Sequence, residues 1–176
     1  MKKIFLMAAA GAGTLFLTAC GYTTKSALPP SLRYIHVEPF KNKIDFNSIN
    51  KRNLYIPLLE VDVRNAIIDR YLFDGNLRVS EEEGADLVLR GELVNFDRGE
   101  LRSTDDNEVQ EYRIYISVNL ELWDPRRQEV RWTENNFTGE ATYFVSGPKA
   151  TSEQSAISEA MTDLARRIVE RTIEDW

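Results

Sequence analysis

Tyr112-Arg113-Ile114-Tyr115-Ile116-Ser117-Val118-Asn119-Leu120-Glu121-Leu122-Trp123 is the stretch that decides the fold. Tyr112, Ile114, Ile116, Val118, Leu120 and Leu122 alternate with Arg113, Tyr115, Ser117, Asn119, Glu121 and Trp123. Side chains of an extended chain point to opposite faces in turn, so this period of two specifies a strand with one apolar and one mixed face. At about 3.3 Å per residue it runs for roughly 40 Å, far beyond the usual strand. An apolar sheet face of that length requires a covering layer.

Working outward, Asp124-Pro125-Arg126-Arg127 reads as a turn, with proline where a type I turn favours it. A strand follows, with Val130, Trp132 and Phe137 as its expected anchors. Upstream, Ala85–Phe96 reads as another strand, with Leu87, Leu89 and Leu93 on one face and Arg90 and Glu92 on the other. Gly91 falls in the apolar row, where a bulge or a close backbone approach is expected. The charged region Arg98–Val109 is expected to carry a hairpin tip at Ser103–Asn107.

Arg33–Phe40 reads as a first strand, with Pro39 at an edge or a strand end. Polar Lys41–Asn53 reads as a loop, and Leu77–Ser80 as a short strand ahead of an acidic turn at Glu81–Gly84. The covering layer comes from two helices. After Pro57, which looks like a first-turn proline, Leu59, Val63, Ala66, Ile67 and Tyr71 recur at helical spacing, and Asp74-Gly75-Asn76 ends the run. After Gly147-Pro148, Thr151 and Gln154 match a capping box. The helix it opens carries Ile157, Ala160, Met161, Leu164 and Ile168 on one stripe, with Asp163 and Arg167 spaced to pair on the other side. These pieces predict an α+β two-layer sandwich, both helices on one face of a mostly antiparallel sheet of four to five strands. The other face is left open and shows Arg90, Glu92, Arg113, Tyr115, Asn119, Glu121 and Trp123.

The N-terminus carries an address. Lys2 and Lys3 precede an apolar run that ends in Leu17-Thr18-Ala19-Cys20, the layout of a secretory signal with a cysteine at the cleavage point. Ile4–Leu17 is too short for a membrane span, which needs about 20 residues. Residues 1–19 are therefore expected to be a lipoprotein signal peptide. Cys20 is expected to carry lipid, and 20–31, ending in Pro29-Pro30-Ser31, to form a short tether to a domain over 32–176. The mature chain has 157 residues, one ordinary domain, with 20 basic and 28 acidic side chains for a formal charge of −8. That balance disfavours nucleic acid and anionic surfaces.

Cys20 is the single cysteine and His36 the single histidine. No internal disulfide, cysteine cluster or thiol catalysis can be built, and most zinc sites and a serine triad would need His36. With no Gly-rich phosphate loop either, no catalytic residue, metal or cofactor is expected.

The order of segments resembles the LptE family of lipopolysaccharide-assembly lipoproteins. The resemblance runs from Leu17-Thr18-Ala19-Cys20-Gly21-Tyr22 through Leu32–Phe40 and Ala85-Asp86-Leu87-Val88-Leu89-Arg90-Gly91. It continues at Glu111-Tyr112-Arg113-Ile114-Tyr115-Ile116-Ser117-Val118-Asn119 and closes at Glu153-Gln154 and the last helix. It implies an outer-membrane lipoprotein on the periplasmic face that plugs the β-barrel LptD one to one and assists its assembly, supporting lipopolysaccharide transport. It also implies lipopolysaccharide contact at Lys149, which lies near the family position, and more weakly at Arg102. Arg90, Arg113, Tyr115 and Trp123 become the candidate barrel-facing surface. A lipoprotein that activates a periplasmic peptidoglycan synthase is the alternative. Such activators need a long tether, whereas Gly21–Ser31 reaches at most about 35–40 Å.

Overall fold

The computed structural model describes residues 28–46 and 55–174. Six strands form one sheet: β1 (Tyr34–Val37), β2 (Lys41–Asn42), β3 (Arg78–Val79), β4 (Leu87–Ser103), β5 (Val109–Asp124) and β6 (Glu129–Phe144). Helix α1 (Leu59–Asp74) lies between β2 and β3, and α2 (Glu153–Glu174) follows β6. The sheet order is β3-β1-β4-β5-β6, with β2 also paired to β4. The three long strands are antiparallel neighbours, whereas β1 and β2 run parallel to β4, and β3 parallel to β1. The two-layer α+β sandwich is as expected; the sheet is mixed and longer in strand count.

The alternation in β5 does what its period requires. Ile114, Ile116, Val118, Leu120 and Leu122 are all buried beneath the helices, together with Leu87, Leu89, Leu93 and Phe96 of β4. Leu59, Val63, Ile67 and Tyr71 of α1 and Ile157, Ala160, Leu164 and Ile168 of α2 complete the core. At the distal end of the core the rings of Tyr112 and Tyr143 stack at 5.6 Å. Arg98 covers Tyr112 at 5.1 Å and pairs with Glu153 at 2.9 Å. Beyond that lid, β4 and β5 continue to the turn at Thr104–Glu108, with β6 alongside as far as Phe144 and Val145, and the β4 arm over 100–103 is exposed.

Several local expectations shift. The charged residues 98–103 belong to β4, because pairing with β5 satisfies their backbone whatever their polarity. The first strand stops at Val37, and Lys41–Asn42, expected in a loop, forms β2. Both segments track β4, with Glu38 N donating to Leu89 O and Lys43 N to Leu93 O. Pro39 occupies the break between them, where its missing N–H costs no ladder bond. Gly91 serves a close approach: an added Cβ would overlap the Phe40 ring.

Pro57 precedes α1 rather than filling its first turn. Leu58 is the N-cap, with φ 60°, and its carbonyl accepts from Val61 N and Asp62 N. The cap of α2 is Ser152, not Thr151: Ser152 Oγ accepts from Ser155 N at 3.1 Å, while Thr151 N is engaged with Phe144 O. On β6, Trp132 and Phe137 pack against the core, but Val130 is exposed, because a bulge sets it opposite Trp123 on the face turned away from the helices.

β6 is an edge strand of 16 residues, a length that invites unwanted pairing. Helix α2 guards it. Asp163, Arg167 and Arg171, four residues apart, lie along the edge in turn. Glu140 N donates to Asp163 Oδ2 at 3.2 Å, Arg167 donates to Thr138 O, and Arg171 pairs with Glu134 at 2.8 Å. Arg167 and Arg171 also cover the rings of Phe137 and Trp132.

Candidate functional site

The open sheet face is assembled by register. Arg90, Glu121 and Thr133 share one row across β4, β5 and β6, and Tyr115 and Glu140 share another. Arg90 is the hub. Its Nε donates to Glu38 Oε1 and its Nη1 to Glu121 Oε1, both at 2.9 Å, while the guanidinium lies 5.4 Å from the Trp123 ring centre. Hydrogen bonds to Glu38 and then Glu121 hold its pKa above the ordinary arginine value, outweighing partial burial. Arg113 Nη1 faces Glu140 Oε2 at 3.5 Å. Tyr115 stands across from Asp97 on β4, with Gly99 close to its ring. Asn119 Oδ1 receives the N–H of Asn136, which sits in a left-handed kink at φ 52°.

Arg90, Arg113, Tyr115 and Trp123 thus lie on one face, away from the helices, and all four are half-buried. The face is charge-compensated: each of its two arginines meets a carboxylate. Such a surface can hydrogen-bond a polar wall; it does not concentrate positive charge for a phosphate.

Arg102 and Lys149 are brought to the same end of the sheet, opposite the entry of the chain. Arg102 pairs across to Glu111, Glu111 to Phe144, and Phe144 bridges to Ala150 beside Lys149. Three inter-strand steps put Arg102 and Ala150 about 15 Å apart. Both basic side chains are exposed. Arg102 Nε stands 3.8 Å from the nearly buried Glu111 carboxylate, and Asp105, Asp106 and Glu108 occupy the adjacent tip. Negative charge therefore surrounds Arg102, while Lys149 extends from its own loop.

His36 holds a structural place, with Nδ1 3.0 Å from Ser80 O. Among the described residues no group of three or more His, Cys, Asp or Glu side chains could hold a metal ion. Cys20 lies outside the described residues.

Sequence reasoning passed over Asp86. This carboxylate is 2% exposed, accepts Arg33 N at 2.8 Å and Tyr34 N at 3.0 Å through Oδ2, and meets Arg126 through Oδ1. It clamps the incoming chain to the start of β4. An acid inside the apolar run Ala85–Leu89 was the available signal.

The sequence model described as LptE, lipopolysaccharide-assembly, matches residues 32–172. No curated protein matches the chain. Among solved structures, the hypothetical protein CT253 of Chlamydia trachomatis is similar at a TM-score of 0.53 and 15% identity, over 80% of this chain and 95% of that one. Protein XCC0632 of Xanthomonas campestris is similar at a TM-score of 0.54 and 13% identity, over 84% and 88%. At these identities the likeness is one of fold.

Proposed function

This chain belongs to the lipopolysaccharide-assembly family LptE, and on that premise we propose that it plugs the outer-membrane barrel LptD one to one and assists its assembly, in support of lipopolysaccharide transport. It works as a non-enzymatic lipoprotein, held on the periplasmic face by lipid on Cys20. The observation that carries this reading is the open sheet face. Barrel lumens are polar, so a plug needs a rigid core and a polar exterior whose charges are already met. Arg90, held by Glu38 and Glu121, and Arg113, facing Glu140, have that character. Lys149 is the stronger candidate for direct lipopolysaccharide contact, since Arg102 shares its charge with Glu111.

A mild-detergent pull-down of the mature lipoprotein from outer membranes tests the role. A stoichiometric barrel-sized partner is expected. Its absence sinks the plug reading, and recovery of a peptidoglycan synthase instead supports the activator alternative. Cys20→Ala is expected to leave unprocessed precursor; normal processing and membrane fractionation of that variant would contradict the anchor.

A further inference from the structure

Exposed apolar side chains occur at both ends of this domain, with Tyr55, Leu58, Val61, Leu101 and Val145 away from the chain's entry, but two of the most exposed are adjacent. Phe73, 81% exposed, and Leu72, 63% exposed, occupy the last turn of α1. Four residues later the chain enters β3, where Arg78 N donates to Arg33 O and Arg78 pairs with Tyr34. The last turn of α1 therefore lies at the end of the sheet where the polypeptide enters the fold. Tyr34 and Val130, also exposed, lie at that end, at the starts of β1 and β6. Leu28 and Leu32 pack against the core there, and Asp86 holds Arg33 and Tyr34 in place.

A folded domain does not gain from holding a phenylalanine and a leucine side by side in water. The chain outside the structure says what covers them. Residues 20–27 separate the lipidated cysteine from Leu28, and fully extended they span at most about 28 Å. The anchored end of the domain cannot leave the neighbourhood of the bilayer. Arg70, whose guanidinium lies 5.3 Å from the Phe73 ring centre, sets a cation beside the aromatic ring, an amphipathic pairing suited to the headgroup level.

We propose that the sheet end bearing Leu72 and Phe73 rests on the phospholipid surface that holds the chain's own anchor, with Phe73 at the boundary between headgroups and acyl chains. This rests on lipidation at Cys20. The contact fixes orientation: the opposite end, with the acidic β4–β5 tip, points away from that leaflet.

In the lipidated chain the Cys20 sulfur is a thioether, so a cysteine introduced elsewhere is the single free thiol. Phe73→Cys, Leu72→Cys and, as the distal control, Leu101→Cys, each labelled with an environment-sensitive fluorophore, are reconstituted into phosphatidylethanolamine–phosphatidylglycerol vesicles. Leu101 is an exposed apolar residue on the far arm of β4. Labels at 72 and 73 are expected to shift to shorter emission wavelengths and to lose at least half their intensity with brominated acyl chains, while the label at 101 stays aqueous. Protein that fails to float with the vesicles overturns the anchor and the footprint together. Protein that floats while its labels at 72 and 73 behave like that at 101 overturns the footprint alone and leaves the anchor standing.

Discussion

Gly139 of β6 lies directly beneath Leu164 of α2. A Cβ built on Gly139 would stand 2.6 Å from both the Leu164 backbone nitrogen and the Ala160 carbonyl oxygen. Those atoms belong to the helix backbone, so neither can swing aside. Gly139→Ala is expected to lift α2 from the sheet and cost about 3 kcal/mol, the upper range for overpacking. Urea unfolding reads the loss. An unchanged midpoint would show that α2 slides freely on β6.

Asp86→Ala removes the acceptor for Arg33 N and Tyr34 N and the partner of Arg126. Two part-buried amides then lose a charged acceptor, and the expected cost is about 2 kcal/mol. Amide exchange should quicken at Arg33 and Tyr34 more than in β5. Uniform quickening across the sheet would mean that the carboxylate supports global stability and no local clamp.

The guard on β6 predicts a change of association state. Removing Asp163 and Arg167 together exposes Glu140 N and Thr138 O on an edge with no further strand beside it among the described residues. The double alanine variant is expected to lose about 1–2 kcal/mol and to form concentration-dependent dimers in sedimentation. Arg166→Ala is the control: Arg166 pairs with Asp163 and Glu170 on the helix itself. A double variant that stays monomeric at every concentration tested would assign edge protection to strand twist instead.

Tyr71 gives the alkaline limit. It is fully buried, its hydroxyl lies 2.8 Å from Thr172 Oγ1, and burial raises its pKa well above the ordinary 10.0, an effect the Thr172 hydrogen bond only partly offsets. Below pH about 10 the hydroxyl is protonated in both states and the contribution is intact. Above it the unfolded tyrosine ionises while the folded one keeps its proton, so stability falls as pH rises. Tyr71→Phe should cost about 1 kcal/mol at neutral pH and remove roughly one proton from the alkaline slope. A slope identical to wild type would assign the alkaline loss to other groups.

Periodicity is a local property, and where it was strong it was sufficient. The twelve alternating residues from Tyr112 to Trp123 determined β5, its buried face and its polar face. The stripe Ile157–Ile168 determined α2, and Gly75, in the left-handed region at φ 77°, ended α1 as Asp74-Gly75-Asn76 suggested. The placing of Arg90, Arg113, Tyr115 and Trp123 on one face followed from the same period of two. Caps and strand ends were less legible, since they depend on which neighbour claims a backbone group. Thr151 N went to Phe144 O, and the cap moved to Ser152.

By itself, then, the sequence determined the layers and the sidedness of the long strands. Only the tertiary structure decided what those side chains meet. Glu38 and Arg90 are 52 residues apart, Arg33 and Asp86 are 53, and Arg171 and Glu134 are 37. No period links such positions; the parallel pairing of β1 with β4 and the crossing of α2 over β6 bring them together. The end of the domain that carries Phe73 was settled in the same way, because the direction of a helix relative to its sheet is a fact of packing.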